Sequence, residues 1–301
     1  MSAMRSCPIC QTSAEGAFLF QKENIDESRI SGFSYASRKE PEYMCHRLVC
    51  MTCELVYASS PPDQDELAHA YHVAEYDSSN EANDAAQAYI KAMRPILAKL
   101  KNKNRVLEIG SGTGILLELL KDQGFTALVG VEPSSAAISA APAHRRAWLR
   151  EGIFEESDFE PGSFDLICCF MTMEHVRDPM GTALAASRLL RPGGAFVTVT
   201  HDYGSLVNRM LGKRSPIIDI EHMQLFSKFS ICELFKRCGF DDVSASPFIN
   251  LYSFEYWMRL APLPQVVKRT SKWLIAHTGM DRIMIGLNVG NTIAAGFRSK
   301  F

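Results

Sequence analysis

Through the middle of the chain, short uninterrupted apolar runs alternate with stretches whose apolar residues return at helical spacing. Val106, Leu107 and Ile109 form a run too short for a helix. Ile115, Leu116, Leu119 and Leu120 then recur on one helix face until Gly124 stops them. Residues 127–131, 147–151 and 164–170 read as further buried strands, and "LLRPGGAFVTVT" as a helix end, a glycine turn and a fifth strand. Strand, helix, strand repeated in this order predicts an α/β fold: a Rossmann-like, doubly wound and mostly parallel sheet. Ahead of it, residues 85–103 carry apolar side chains at 89, 93, 96, 97 and 100, an amphipathic helix with Pro95 as a candidate bend.

The first strand-to-helix junction holds Gly110, Gly112 and Gly114 at alternate positions. Bare backbone there lets a ligand approach closely and face the free N–H groups of the helix start, which makes the turn a cofactor seat. A dinucleotide fingerprint would need glycine at position 115, where the chain has Ile. The pattern is instead Glu108-x-Gly-x-Gly-x-Gly. About 18 residues past the last glycine the second run ends in Glu132, where a carboxylate can accept from both hydroxyls of a ribose.

The Glu108-to-Gly114 motif resembles the first motif of class I S-adenosylmethionine-dependent methyltransferases, and "GVEPS" around Glu132 and Pro133 their second. "EGIFEESDFEPGSFD" is similar to the segment that lines the adenine in that family. Many members carry Asp there; this chain has Ile153 and Phe154, which implies apolar packing of the ring. The late stretch "HDYGSLVNRMLGKRSPIIDIEHMQLFS" resembles that of ubiquinone-pathway-like and sugar- or natural-product-modifying members. The matching motifs span roughly residues 105–246. The resemblance implies S-adenosyl-L-methionine as cofactor, held by Glu108, Gly110, Gly112, Gly114, Glu132, Pro133, Ile153, Phe154 and Phe170. It also implies that the helix at 85–103 helps close the site.

The N-terminal part carries a different signal. "CPIC" at Cys7 and Cys10 is answered by "CMTC" at Cys50 and Cys53, two knuckles able to hold structural Zn2+ tetrahedrally. The 39 residues between them require a bulky loop, with Cys45 and His46 nearby as substitute ligands. Similar zinc modules precede the catalytic domain in some sugar and natural-product methyltransferases. The expected organisation is a zinc-ribbon-like module and linker over 1–75, a cofactor-binding core over 76–246 and a C-terminal helical and strand extension over 247–301. The aromatic "FINLYSFEYWMRLAPLP" suits a lid over an acceptor, "VVKRTSKWLIAHTGMDRIM" core packing or an interfacial helix on a membrane, and "GNTIAAGF" a final strand.

Composition narrows the acceptor more than the fold. At 47% hydrophobic and 22% charged residues the chain is globular, and 32 basic against 34 acidic residues give no field that gathers nucleic acid. The start lacks a signal-peptide core and no long apolar run follows, so a cytoplasmic protein with reduced cysteines is expected. Methyl transfer to a small molecule (a sugar, lipid-linked glycan, quinone or natural-product intermediate) is the leading reading. An RNA methyltransferase with a zinc ribbon, or a non-catalytic cofactor-binding partner, are the alternatives. Candidate bases stand where such sheets bind ligands: Glu174 and His175, His201 and Tyr203, Glu221 and His222. Cys168 and Cys169, inside an apolar run, are expected to be inert.

Overall fold

The computed structural model describes residues 4–36, 39–74, 80–261 and 283–299, with 263–264, 268, 275 and 277–278. In chain order its elements are β1 (Phe18–Gln21), β2 (Leu48–Cys50), β3 (Val56–Ala58), α1 (Gln64–His72), α2 (Asn80–Lys99), β4 (Arg105–Ile109), α3 (Ile115–Asp122), β5 (Ala127–Glu132), α4 (Ser135–Ala140), α5 (Ala143–Arg146), β6 (Leu149–Glu151) and β7 (Phe164–Phe170). There follow α6 (Pro179–Leu189), β8 (Leu190–His201), α7 (Leu206–Leu211), β9 (Gln224–Leu225), α8 (Lys228–Arg237), β10 (Phe240–Pro247), β11 (Asn250–Ser253), α9 (Phe254–Leu260), β12 (Met284–Leu287) and β13 (Asn291–Arg298).

The large sheet runs β10-β13-β8-β7-β4-β5-β6. From β8 to β6 all its pairs are parallel, whereas β13 lies antiparallel between β8 and β10. Because successive strand residues face opposite ways, Leu107, Ile167 and Cys169 pack into one layer with Leu189, Leu234 and Phe235. Val106, Leu166 and Cys168 pack into the other with Met93, Leu97, Leu117 and Leu120. This two-faced burial is why the parallel strands read as solid apolar runs. Burying Leu117 and Leu120 completely contributes roughly 1.5–3 kcal/mol each. Cys168 and Cys169 are fully buried, and burial pushes both thiols well above the ordinary range, in keeping with inert core residues.

Three boundaries differ from expectation. The third parallel strand is shorter, because residues 143–146 take one helical turn before it. The glycine turn expected after Arg191 is absorbed into β8: Phe164 pairs with Leu190 but Leu166 with Ala195, so the intervening residues bulge, with Gly193 at φ +80°. The helix expected at 85–103 begins earlier and ends at Lys99, with Pro95 inside it.

The N-terminal segment forms its own antiparallel sheet, β1-β2-β3-β9. Its last strand comes from the late loop of the core, with Val56 opposite Leu225 and Tyr57 opposite Gln224. The boundary expected at residue 75 is therefore crossed by a strand pair. No helix among the described residues is long and apolar enough to cross a membrane. The sequence 266–284, read as core packing or an interfacial helix, lies mostly outside the described residues.

Candidate active site

A cavity of about 720 Å3 opens above the carboxyl ends of β4, β5, β7 and β8. Its floor is the glycine turn. Gly110 and Gly112 sit at φ +74° and +52°, the left-handed region that glycine enters without strain. A Cβ on Gly112 would meet nothing within 4 Å, so its bare face looks into open space. Across from it Glu132, 8% exposed, accepts the Gly112 N–H at 2.7 Å and the Ser134 N–H at 2.8 Å. Burial raises its pKa, and these two amides oppose the rise.

Of the residues expected around a cofactor, Glu108, Gly110, Gly112, Glu132, Pro133, Ile153, Phe154 and Phe170 line this cavity. Gly114 does not. It caps α3 at φ +72°, and a side chain there would press on Leu149 and Arg145, so its bareness serves packing rather than ligand approach. Helix α2 contributes Ala82, Ala86 and Tyr89, and the C-terminal segment contributes Tyr252, Tyr256, Trp257 and Leu260. The aromatic stretch expected as a lid thus forms a wall.

At the far end three histidines converge, His175 and His222 from two loops and His201 from the end of β8. The rings of His175 and His222 lie 4.8 Å apart and those of His201 and His222 5.7 Å apart. His222 Nδ1 is 2.8 Å from the Ile217 carbonyl, which can only accept; Nδ1 therefore carries the proton and Nε2 keeps a lone pair. Burial, then the neighbouring His175 and His201, hold His222 well below the usual imidazole range. Burial likewise lowers His175 and His201 to about 4 each, so all three are neutral at pH 7. His201 Nδ1 is 2.8 Å from Asn291 Oδ1, and His175 Nδ1 is 3.0 Å from the Tyr71 hydroxyl and 3.1 Å from the Glu221 carbonyl. Glu221 lines the cavity, its carboxyl pushed up to about 8 by burial against the pull of Lys39.

Two expected bases stand elsewhere. Glu174 is fully buried and off the cavity wall. Its Oε1 accepts the His201 N–H at 2.6 Å and its carbonyl accepts the N–H of Met223 and Gln224, so it ties the end of β8 to the segment that carries His222. Burial lifts it to about 8, and Oε2 has no hydrogen-bond partner among the described residues, which suits a protonated acid. Tyr203 is off the wall as well, donating to the Glu54 carbonyl at 2.8 Å with its ring edge-on to Phe20 of the N-terminal sheet. Sequence patterning passed over Tyr35, Lys39, Tyr71 and Asp219, which all line the cavity. They come from irregular stretches and the short helix α1, where periodicity carries no signal.

The knuckles converge only in part. Cys7, Cys10 and Cys53 place their sulfurs within 4.8 Å of one another, with Cys7 and Cys53 3.5 Å apart. Their hydrogen bond, in which either sulfur can donate, lowers Cys53 and raises Cys7. Cys50 stands apart. On β2, Val49 faces the layer that holds Cys7 and Cys53, so strand alternation turns Cys50 to the opposite face with Leu48, Phe20 and Tyr203. Cys45 shares that opposite face and bonds Asn24 and Lys22 instead.

Comparison with known proteins places the core of the chain in a family. A family model described as a methyltransferase domain matches residues 81–245. A ubiquinone biosynthesis O-methyltransferase of Ralstonia nicotianae is 31% identical over 161 residues, 48% of this chain and 64% of that protein. One from Methylococcus capsulatus is 34% identical over 113 residues, 36% of this chain and 45% of its own length. The chain thus matches less than two thirds of the length of either. A solved S-adenosylmethionine-dependent methyltransferase of Thermotoga maritima superposes with a TM-score of 0.49 at 21% identity, covering 73% of this chain and 91% of that one.

Proposed function

Since the chain belongs to the methyltransferase-domain family, matched over more than half its length, we propose that it moves the methyl group of S-adenosyl-L-methionine onto a small-molecule acceptor. The observation that carries this reading is that one cavity joins the left-handed Gly110–Gly112 turn and its facing Glu132 to three neutral histidines. The open side of Gly112 and the buried carboxylate of Glu132 fit a nucleoside with two adjacent hydroxyls. Glu132 would accept from both hydroxyls, Ile153 and Phe154 would cover the adenine with apolar surface, and Glu108 and Phe170 would bound the rest.

When bound, this cofactor supplies a methyl group already activated by a positively charged sulfur. The chain's own residues then have three tasks: to exclude water, to aim the acceptor atom and to take its proton. Tyr89, Phe170, Tyr252, Tyr256 and Trp257 line the cavity with aromatic surface and keep water out. His222 is the general base in this reading, because Ile217 fixes its proton on Nδ1 and its depressed pKa keeps Nε2 free at neutral pH. His175 and His201 orient the acceptor beside it. Glu221, 3.9 Å from His222 and pushed up to about 8, passes its proton on and is refilled near neutrality. Glu174 and Tyr203 act on structure only.

In the N-terminal sheet, Cys7, Cys10 and Cys53 suit a thiolate-bound Zn2+, and Cys50, on the opposite face of β2, stands outside that set. Such an ion holds the fold and takes no part in the transfer.

The test pairs binding with turnover. Calorimetry with S-adenosylmethionine and S-adenosylhomocysteine should show binding to both. Methyl-labelled S-adenosylmethionine with an extract of the source organism should then label the small-molecule or lipid fraction. Failure to bind either compound refutes the proposal; label confined to RNA refutes the choice of acceptor.

A further inference from the structure

The wall of the cavity above the histidines is built by the N-terminal module, not by the sheet that carries the glycine turn. Tyr35, Ala36, Lys39 and Pro41 reach in from the long loop between β1 and β2. Lys39 is the notable member: the residue is 7% exposed, a costly burial unless its charge is paired. The pairing is with the late loop. Lys39 Nζ lies 2.7 Å from Asp219 Oδ2 and 3.2 Å from Glu42 Oε2. Asp219 Oδ2 also accepts the backbone N–H of Glu42 at 3.0 Å, and Oδ1 accepts that of Ile220 at 3.0 Å. Both oxygens of a carboxylate that is itself 2% exposed are thereby engaged.

Asp219 is joined to the candidate base by a single turn, since its carbonyl accepts the His222 N–H at 3.1 Å. Beyond His222, the Met223 N–H is held by the Glu174 carbonyl and β9 by β3. The loop is thus fastened on both sides, and the N-terminal module makes both the Lys39 fastening and the β3 one. We infer that Lys39 is a positioning residue, which pins the Asp219 turn and by charge and geometry sets Glu221 and His222 for proton removal. This rests on the reading of Glu221 and His222 given above. The groups facing Glu221 are Lys39, Asp219, Glu42 and Glu174, with Tyr71 and Tyr35 close by; those facing His222 are His175, His201, Glu221 and Lys39. Among them Lys39 is the cation. Burial alone would lower its own pKa, and Glu221, Asp219 and Glu42 outweigh that, so it stays charged.

A direct test needs no acceptor. In the full chain labelled with 13C at glutamate carboxyls and 15N in histidine rings, the Glu221 signal is assigned by its disappearance in Glu221→Gln and titrated by NMR. Removing the cation in Lys39→Met should raise the Glu221 midpoint by about one pH unit. It should also blur the single Nδ1–H tautomer of His222 into an exchanging pair. Lys39→Arg, which keeps the charge, should restore both signals. If Lys39→Met fails to fold, Lys39→Gln carries the same test with a polar side chain. An unmoved Glu221 midpoint and an unchanged His222 tautomer, in a variant that still melts cooperatively, overturn the inference. Failure of the wild-type chain to bind S-adenosylhomocysteine would instead refute the proposed function and leave this titration readable.

Discussion

Gly110 and Gly112 have left-handed backbones, yet replacing them should have different consequences. Alanine at either position costs about 1–2 kcal/mol of backbone strain. At Gly112 nothing else is added, because the new Cβ projects into space with no atom within 4 Å. At Gly110 the Cβ would lie 2.2 Å from Thr172 Oγ1 and 2.8 Å from Thr172 Cγ2. Thr172 cannot yield freely, since its hydroxyl donates to the Phe170 carbonyl and its own carbonyl accepts the His175 N–H. Overpacking of this kind adds roughly 1–3 kcal/mol, giving about 2–5 kcal/mol in all for Gly110→Ala. Thermal denaturation should therefore show a melting point lower by roughly 2–8 °C for Gly112→Ala and a larger fall for Gly110→Ala. Calorimetry with S-adenosylhomocysteine should show the reverse emphasis. The Gly112 methyl occupies the surface that the nucleoside would approach, so affinity should fall at least about tenfold, some 1.4 kcal/mol, in a protein that is still well folded. Affinity within a factor of two of wild type in Gly112→Ala would remove the glycine turn from the binding site.

Other consequences are open to simple measurements. Glu132→Gln keeps the shape but loses charge-assisted acceptance, and should weaken S-adenosylmethionine by roughly 2 kcal/mol in calorimetry, about thirtyfold; equal binding would deny Glu132 contact with the ribose. Metal analysis should find one zinc per chain, lost in Cys53→Ser together with the cooperative melt of the N-terminal sheet, and a metal-free wild type would refute the zinc assignment. His201 has a folded-state pKa of about 4 against about 6.5 unfolded, so the unfolded chain binds more protons between those values and stability drops as pH falls through that window. In urea unfolding, His201→Gln should make that decline shallower by about 1.4 kcal/mol per pH unit, and an unaltered slope would mean that His201 titrates normally. His222→Asn should abolish label transfer while leaving S-adenosylhomocysteine binding intact; residual transfer near the wild-type rate would place the base elsewhere.

The parts of the molecule governed by period and spacing were legible in the sequence. Strand β4 ends where its apolar run ends, and the glycines after it form the turn that their spacing suggested, which proves to be left-handed. Glu132 faces that turn because parallel register sets the end of β5 beside the end of β4. What escaped was decided by long-range packing. Glu174 and His175 are adjacent in sequence, yet one is sealed beneath the site and the other lines it, a choice made by the chain direction after β7 and invisible to a residue list. Cys50 looked equivalent to Cys53 until strand alternation on β2 turned it to the other face. Lys39 and Asp219 lie 180 residues apart, and no local pattern could have paired them.

The pairing of β3 with β9 bears on how such proteins can be recombined. A cut at the linker near residue 75 would leave the core with an unpaired strand edge beside the His222 loop and with one wall of its pocket missing. A self-contained exchange would be discontinuous, carrying the N-terminal sheet together with its partner strand β9. A chimera that carries over only the first 75 residues inherits a mismatched seam between β3 and β9.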